Sequence, residues 1–246
     1  MSESAFEQVA IIGLGLIGGS IGLAAQAALP GLRVTAYDAD EAVRIRARER
    51  GLAHEVFDDP HGAVADADLV VLCVPVRAMG EAAAALKGAL KTDAVISDVG
   101  SCKQSVADAI ADALPGQPIV PAHPVAGTEH SGPDAGFAEL FRNRWCILTP
   151  AEGTPADAAR QTADFWTALG ANVEIMDARH HDLVLAITSH VPHLIAYTIV
   201  GTASDLEDVT RSEVIKYSAG GFRDFTRIAA SDPTMWRDVF LSNREA

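Results

Sequence analysis

Apolar and polar positions follow one another along this chain in a regular order. Short apolar runs stand at 9–12 (VAII), 69–74 (LVVLCV), 94–96 (AVI, before Ser97) and 119–120 (IV). Runs of this length without alternation predict strands buried on both faces of a parallel sheet. Between them the spacing turns helical: over 20–29, over 41–50 with Gly51 as the stop, over the alanine-rich 78–90 and over 102–114. A second strand is predicted at 34–37 (VTAY), a further one at 145–149, and a last one at 172–176 after a helix at 155–169 that opens with Pro155. From Ala178 on, every stretch is helical in spacing and no strand is predicted. The pattern therefore reads as an α/β domain over 1–177 followed by an all-helical domain over 178–246.

Glycine placement sharpens the first unit. The strand at 9–12 runs into Gly13-Leu14-Gly15-Leu16-Ile17-Gly18-Gly19, a G-x-G-x-x-G that opens a helix. Gly13 permits a tight turn, Gly15 lets backbone approach a pyrophosphate, and Gly18 lets helix and strand pack closely. The helix N-terminus presents N–H groups and positive dipole to phosphates, so Leu16 and Ile17 join the three glycines as cofactor contacts. The second strand ends in Asp38, 38 − 13 = 25 residues after Gly13, close to the spacing of an acid that binds a ribose 2′-hydroxyl. A carboxylate there repels a 2′-phosphate, which favours NAD over NADP. A turn or helix-capping role for Asp38 fits the same position. Val74 and Pro75, at the end of the most apolar run, are expected beside the cofactor.

Composition removes some partners. Net charge is −14 and 49% of residues are hydrophobic, which argues against nucleic acid or an anionic membrane and leaves ample material for a core. Residues 8–32 carry no charge, but the stretch is dense in glycine and preceded by Glu3 and Glu7 in place of a basic region, so it is not read as a membrane span. No other apolar run is expected to reach spanning length. Cys73, Cys102 and Cys146 are widely spaced and form no CxxC pair, which fits a reducing cytoplasm.

Candidate chemistry lies at three further places. His123 follows the run at 119–120 between Pro121 and Pro124, and is expected where that strand leaves the sheet, a common ligand position in α/β folds. A hydrogen-bonded loop histidine without chemistry fits equally well. Ser101, after the strand at 94–97, suits either a cap for the helix at 102–114 or a hydroxyl beside the nicotinamide. In the second half, His180, His181 and Asp182 precede Ser189, His190, Pro192 and His193, with Pro192 expected to break or kink the helix. The histidines lack HExxH or cysteine zinc spacing, so no metal is expected, and His180 and His181 fit a helix surface. Gly220 and Gly221 permit close backbone approach, and Arg223 and Arg227, a turn apart on the next helix, suit carboxylate binding. Surface pairing of the two arginines with Asp224, Asp232 or Asp238 is the plainer reading. Trp236 is either core or pocket wall.

With these residues in view the chain resembles the prephenate/arogenate (cyclohexadienyl) dehydrogenase family of tyrosine biosynthesis. The resemblance covers nearly the whole chain, through GLGLIGGS at 13–20, DVGSCK at 98–103, HPVAGTE at 123–129, SHVPH at 189–193 and GGFRDFTRIAASDPTMWRD at 220–238. It implies a Rossmann-type, mostly parallel sheet that binds NAD, and a helical domain that forms a homodimer. It implies His123 as catalytic histidine with Ser101 as its partner at the ring hydroxyl. His193 and Arg227 are implied as substrate-binding residues, with Ser189, Gly220 and Trp236 around them and Asp224 positioning Arg227. The implied reaction is oxidative decarboxylation of prephenate, or of arogenate, in the cytoplasm. Members usually continue with more helix beyond the point where this chain stops at Ala246, so a short member or a truncated chain is expected. A β-hydroxyacid dehydrogenase shares the two-domain plan but uses a catalytic lysine, and the only lysine after Lys103 is Lys216. A non-catalytic NAD-binding regulator needs neither the histidine nor the arginines.

Overall fold

The computed structural model describes residues 5–128, 130–206, 216–217 and 219–246. Glu3 and Glu129, which stand in the stretches named above, lie outside the described residues. The chain divides into two compact units, Met1–His181 and Asp182–Ala246.

The first unit is built on a five-stranded parallel sheet in the order β3-β2-β1-β4-β5. Its strands are β1 (Gln8–Ile12), β2 (Arg33–Tyr37), β3 (Glu55–Val56), β4 (Leu69–Leu72) and β5 (Val95–Asp98). The unbroken apolar runs have the cause the pattern implied, because both faces are covered. Val9 and Ile11 face one core with Val34, Leu69, Val71 and the helix residues Ile21 and Ala25. Ala10 and Ile12 face the other with Val70, Leu72, Ile96, Met79 and Ile110. The helices between strands are α1 (Leu16–Ala28), α2 (Glu41–Arg50), α3 (Pro60–Val64), α4 (Met79–Ala84) and α5 (Gln104–Ala113). Helix α1 starts four residues before the predicted 20, so Gly18 and Gly19 lie inside it. Helix α4 is shorter than predicted and gives way to turns, with Gly88 at φ 84°.

A second sheet of three strands, β6 (Ala122–Pro124), β7 (Trp145–Leu148) and β8 (Asn172–Ile175), stands in the order β6-β7-β8. Strand β6 is antiparallel to β7, and β8 is parallel to it. Helix α6 (Ala156–Ala168) packs Phe165 and Trp166 into the first core. His123 lies in a separate short strand, which begins after Pro121 and ends at Pro124. Residues before Pro121 pair with β5, where Ile96 N donates to Pro118 O and Val120 N to Ile96 O. Residues after it pair with β7. His123 therefore sits in the middle of β6, opposite Ile147, and not at a point where the chain leaves a sheet. Pro124 is tolerated because β6 is an edge strand, where a missing N–H leaves no ladder bond unmade.

The second unit is helical among the described residues, as the spacing predicted. Helix α7 (Ala178–Leu185) begins in the first unit and passes through a π-helical turn at Ala186–His190 into α8 (Val191–Asp205). Pro192 follows directly on the π-turn, whose wider ring absorbs the lost N–H and the carbonyl clash that a proline makes inside a continuous helix. One expectation fails here. Ala178–Asp205 runs for 28 residues with an 18-residue window of mean hydropathy 1.6, of which 22% is buried, so by length and composition a second stretch reaches spanning size. Its histidines and hydroxyl residues, spread along an otherwise apolar run, hid this from a reading by unbroken apolar stretches. Helices α9 (Gly220–Thr226) and α10 (Pro233–Ser242) follow, joined by a 3₁₀ turn at Arg227–Ala230.

Candidate active site

The carboxyl ends of β1, β2 and β4 meet at the glycine-rich loop. Gly13 has φ 102°, and a Cβ there would lie 2.6 Å from the Cys73 carbonyl oxygen. A Cβ on Gly18 would fall 2.0 Å from the Gly13 carbonyl oxygen, so both positions require glycine. Gly15 differs. It is the N-cap of α1, and a Cβ there would meet nothing within 4 Å. Gly15, Leu16 and Ile17 are partly exposed between buried neighbours, and no side chain caps the helix. An uncapped N-terminus over open space, with no acid in its first turn, is the arrangement that holds a pyrophosphate.

Asp38 closes the loop from the β2 side. Its Oδ2 accepts from Leu14 N at 2.7 Å and its Oδ1 from Asp40 N at 2.9 Å. The cap of α2 is Asp40, which accepts from Ala42 N at 2.8 Å, so the capping reading of Asp38 does not hold. Val74 lies against Gly13, and Pro75 is exposed beyond it. These residues gather around one strand-end crevice and fit a dinucleotide.

At the end of β5 stands a feature the sequence reading missed. Asp98 and Lys103 are both fully buried, and Lys103 Nζ donates to Asp98 Oδ2 at 2.5 Å and to Ala122 O at 2.6 Å. Gly100 N donates to the same carboxylate oxygen at 2.6 Å. Burial pushes the Asp98 carboxyl up from the usual carboxylate range, against the opposing pull of Lys103. The ion pair ties β5 to the residue immediately before His123. Ser101 is partly exposed in the bend between Asp98 and Lys103, and it does not cap α5, whose N-cap is Lys103. Burial pushes the Cys73 and Cys146 thiols far up, so neither is a thiolate near neutrality, and all three cysteines are free.

His123 Nδ1 lies 2.8 Å from His181 Nε2, with the rings edge to face. His123 is 8% exposed and His181 0%. The surface reading of His181 is thus overturned, while His180, the next residue around the helix, is exposed. No spacing rule marks a partner 58 residues away.

In the second unit, His193 stacks on Trp236 with ring centroids 3.6 Å apart, and Trp236 also meets His190 edge to face. Trp236 is therefore core with one face given to His193. His193 Nδ1 donates to Ser189 O at 2.9 Å, a carbonyl on the π-turn. Burial lowers the His193 pKa, with the Ser189 bond opposing, so His193 favours the neutral form. His190 Nδ1 meets Asn243 Nδ2 at 3.0 Å. Gly220 starts α9, with nothing within 4 Å of a would-be Cβ. Asp224 and Arg227 are exposed, and among the described residues neither makes an ion pair. The contact by which Asp224 would position Arg227 is thus not formed here. Arg223 likewise has no acidic partner among the described residues. Asp232 caps α10 and Asp238 pairs with Arg237, so the surface-pair reading of the two arginines fails. Among the described residues no group of three or more His, Cys, Asp or Glu could hold a metal.

Comparison with known proteins gives consistent matches. Residues 21–175 match the model of the prephenate dehydrogenase nucleotide-binding domain, and residues 177–246 that of the prephenate dehydrogenase dimerization domain. The chain is 53% identical to a cyclohexadienyl dehydrogenase of Zymomonas mobilis, over 98% of this chain and 82% of that one. It is 35% identical to a prephenate dehydrogenase of Bacillus subtilis, over 97% of this chain and 65% of that one. It is similar to a crystal structure of prephenate dehydrogenase from Aquifex aeolicus in complex with hydroxyphenyl propionate and NAD⁺, with TM-score 0.90 and 33% identity over 100% of this chain and 84% of that one.

Proposed function

Because the chain belongs to the prephenate dehydrogenase family, we propose that it catalyses NAD-dependent oxidative decarboxylation of prephenate, with arogenate as the alternative substrate. The observation that carries this reading is the pairing of an open, uncapped dinucleotide loop with a buried histidine held through Nδ1. NAD⁺, when bound, supplies the hydride acceptor. Gly13, Gly15 and Gly18 would shape its pyrophosphate site, and Asp38 would take the adenosine ribose. The ring hydroxyl of the substrate loses its proton as hydride leaves the same carbon, and the ring carboxylate departs as carbon dioxide, leaving an aromatic ring. His123 takes the proton at Nε2, since Nδ1 is engaged with His181. Ser101 holds the same hydroxyl in register.

Arg227 binds a substrate carboxylate as a permanent cation. His193 acts as a neutral hydrogen-bonding group, because burial holds its pKa down. Ser189, Gly220 and Trp236 line the substrate side, and Asp224 orients Arg227 once ligand is present. The exposed apolar residues Ile187, Val191, Leu194 and Ile195 recur along the α7–α8 helix, and their exposure, 75% at Ile187, supports a homodimer through this domain. Three free cysteines support a cytoplasmic setting.

The test is His123→Asn. A folded variant should bind NAD⁺ normally and lose about 10²–10⁴-fold in kcat with prephenate. A folded variant with near-normal kcat would remove the mechanism. A wild-type protein that turns over arogenate alone would move the substrate assignment to the alternative.

A further inference from the structure

We infer that His181 is a positioning residue that fixes the tautomer of His123 and so selects Nε2 as the proton acceptor. The inference rests on the reading of His123 as the base and adds the residue through which that base is set. Two neutral imidazoles that meet nitrogen to nitrogen share one proton: one ring donates and the other accepts. At 2.8 Å, His123 Nδ1 and His181 Nε2 are in this position. If His181 donates, His123 carries its remaining proton on Nε2 and has no lone pair for the substrate. If His123 donates through Nδ1–H, its Nε2 is unprotonated and can accept. Only the second arrangement supports catalysis.

The second arrangement also survives the reaction. When the substrate proton reaches Nε2, His123 becomes an imidazolium that still donates Nδ1–H to the His181 Nε2 lone pair. The bond becomes charge-assisted without any group having to turn. His181 is suited to hold its side of the bond, because it is fully buried and anchored in α7, where its own N–H donates to Asp177 O at 2.9 Å. His123 is held from the other side, where Lys103 grips Ala122 O. The base is thus fixed in backbone position by β6 and in proton position by a ring on a helix.

The experiment is ¹H–¹⁵N correlation of the imidazole nitrogens in the full chain labelled with ¹⁵N-histidine, near neutral pH and without ligand. His123→Asn and His181→Leu supply the assignments. The expected result is His123 protonated at Nδ1 and bare at Nε2 in the wild type, with that pattern lost in His181→Leu. In kinetics, His181→Leu should lower kcat about 10²-fold at little change in the KM of either substrate, the size of a small misplacement of a catalytic group. His181→Gln, whose amide oxygen can still accept from Nδ1, should recover more activity than His181→Leu. A wild-type His123 protonated at Nε2 overturns the inference, as does a folded His181→Leu with wild-type kcat. If His181→Leu does not fold, the wild-type spectrum together with His123→Asn still decides. The tautomer is read without substrate, so failure of the prephenate assignment leaves this result standing, and a wrong tautomer beside intact prephenate turnover sinks this inference alone.

Discussion

At the glycine-rich loop, backbone shape is set by residues a few positions apart. Gly13 turns, Gly18 clears the Gly13 carbonyl, and Gly15 leaves space open. At β6, backbone and side chain are set by residues far away in the chain: Asp98 and Lys103 from the preceding strand end, and His181 from the first helix beyond the last strand. The first arrangement can be read from a motif. The second depends on packing that no spacing encodes. The contrast separates two ways of holding a site, one steric and local, one polar and long-range, and they should fail differently.

The largest stability effect is expected at β6. Lys103→Ala leaves the Asp98 carboxyl buried without its cation, at a cost of about 3–5 kcal/mol. Chemical denaturation should show the loss, and the double variant Asp98→Ala/Lys103→Ala should be less damaged than the single one. If Lys103→Ala unfolds like the wild type, the ion pair does not hold β6.

Within the glycine loop, two substitutions of equal size should part company. Gly18→Ala puts a methyl where the Gly13 carbonyl stands and should destabilise the fold, by about 1–3 kcal/mol as for other overpacked sites. Gly15→Ala meets open space, so stability should be near normal while affinity for NAD⁺ falls. Thermal unfolding and NAD⁺ titration of both variants check this. Equal unfolding curves, or normal NAD⁺ affinity in Gly15→Ala, would break the contrast.

The smallest effect concerns His193. Its folded pKa lies below its unfolded value, so between the two the unfolded chain binds more protons. Stability should therefore rise with pH through that window, be fully present above the unfolded value of about 6.5, and be lost as pH falls. Denaturation midpoints of wild type and His193→Asn across this range measure it, and identical slopes would show that His193 titrates as it does in the unfolded chain.

Much of the fold was legible in sequence. Most of the order of strands and helices, the glycine loop and the switch to helix after Ala178 follow from periods of hydrophobicity and from turn residues, whereas β3 and α3 fall in a polar stretch that shows no such period. The beginning of α1 was misplaced because Gly18 and Gly19 are poor helix formers kept inside a helix by the need for close packing. His123 stands out in sequence, but the three-residue strand that carries it, set between two prolines, has no apolar run to reveal it. His181 was assigned to a surface because one helical turn carries His180 and His181 side by side, and only packing decides which faces inward. Lys103 shows no role in sequence, since a buried lysine is legible only once its acid is seen. Arg227 and Asp224 show the opposite limit: the resemblance implies a substrate-binding pair, and the contact between them is not formed among the described residues.

The segment from Pro118 to Pro124 belongs to two sheets at once, bonded to β5 through Pro118 and Val120 and to β7 over Ala122–Pro124. A ladder shared in this way acts as a rivet for unfolding. The three-stranded sheet cannot open at β6 without pulling on the edge of the five-stranded one, so the two melt as one cooperative unit. The histidine on that shared segment is therefore kept in place by the global stability of the first unit, and transient local opening of a loop does not suffice to release it.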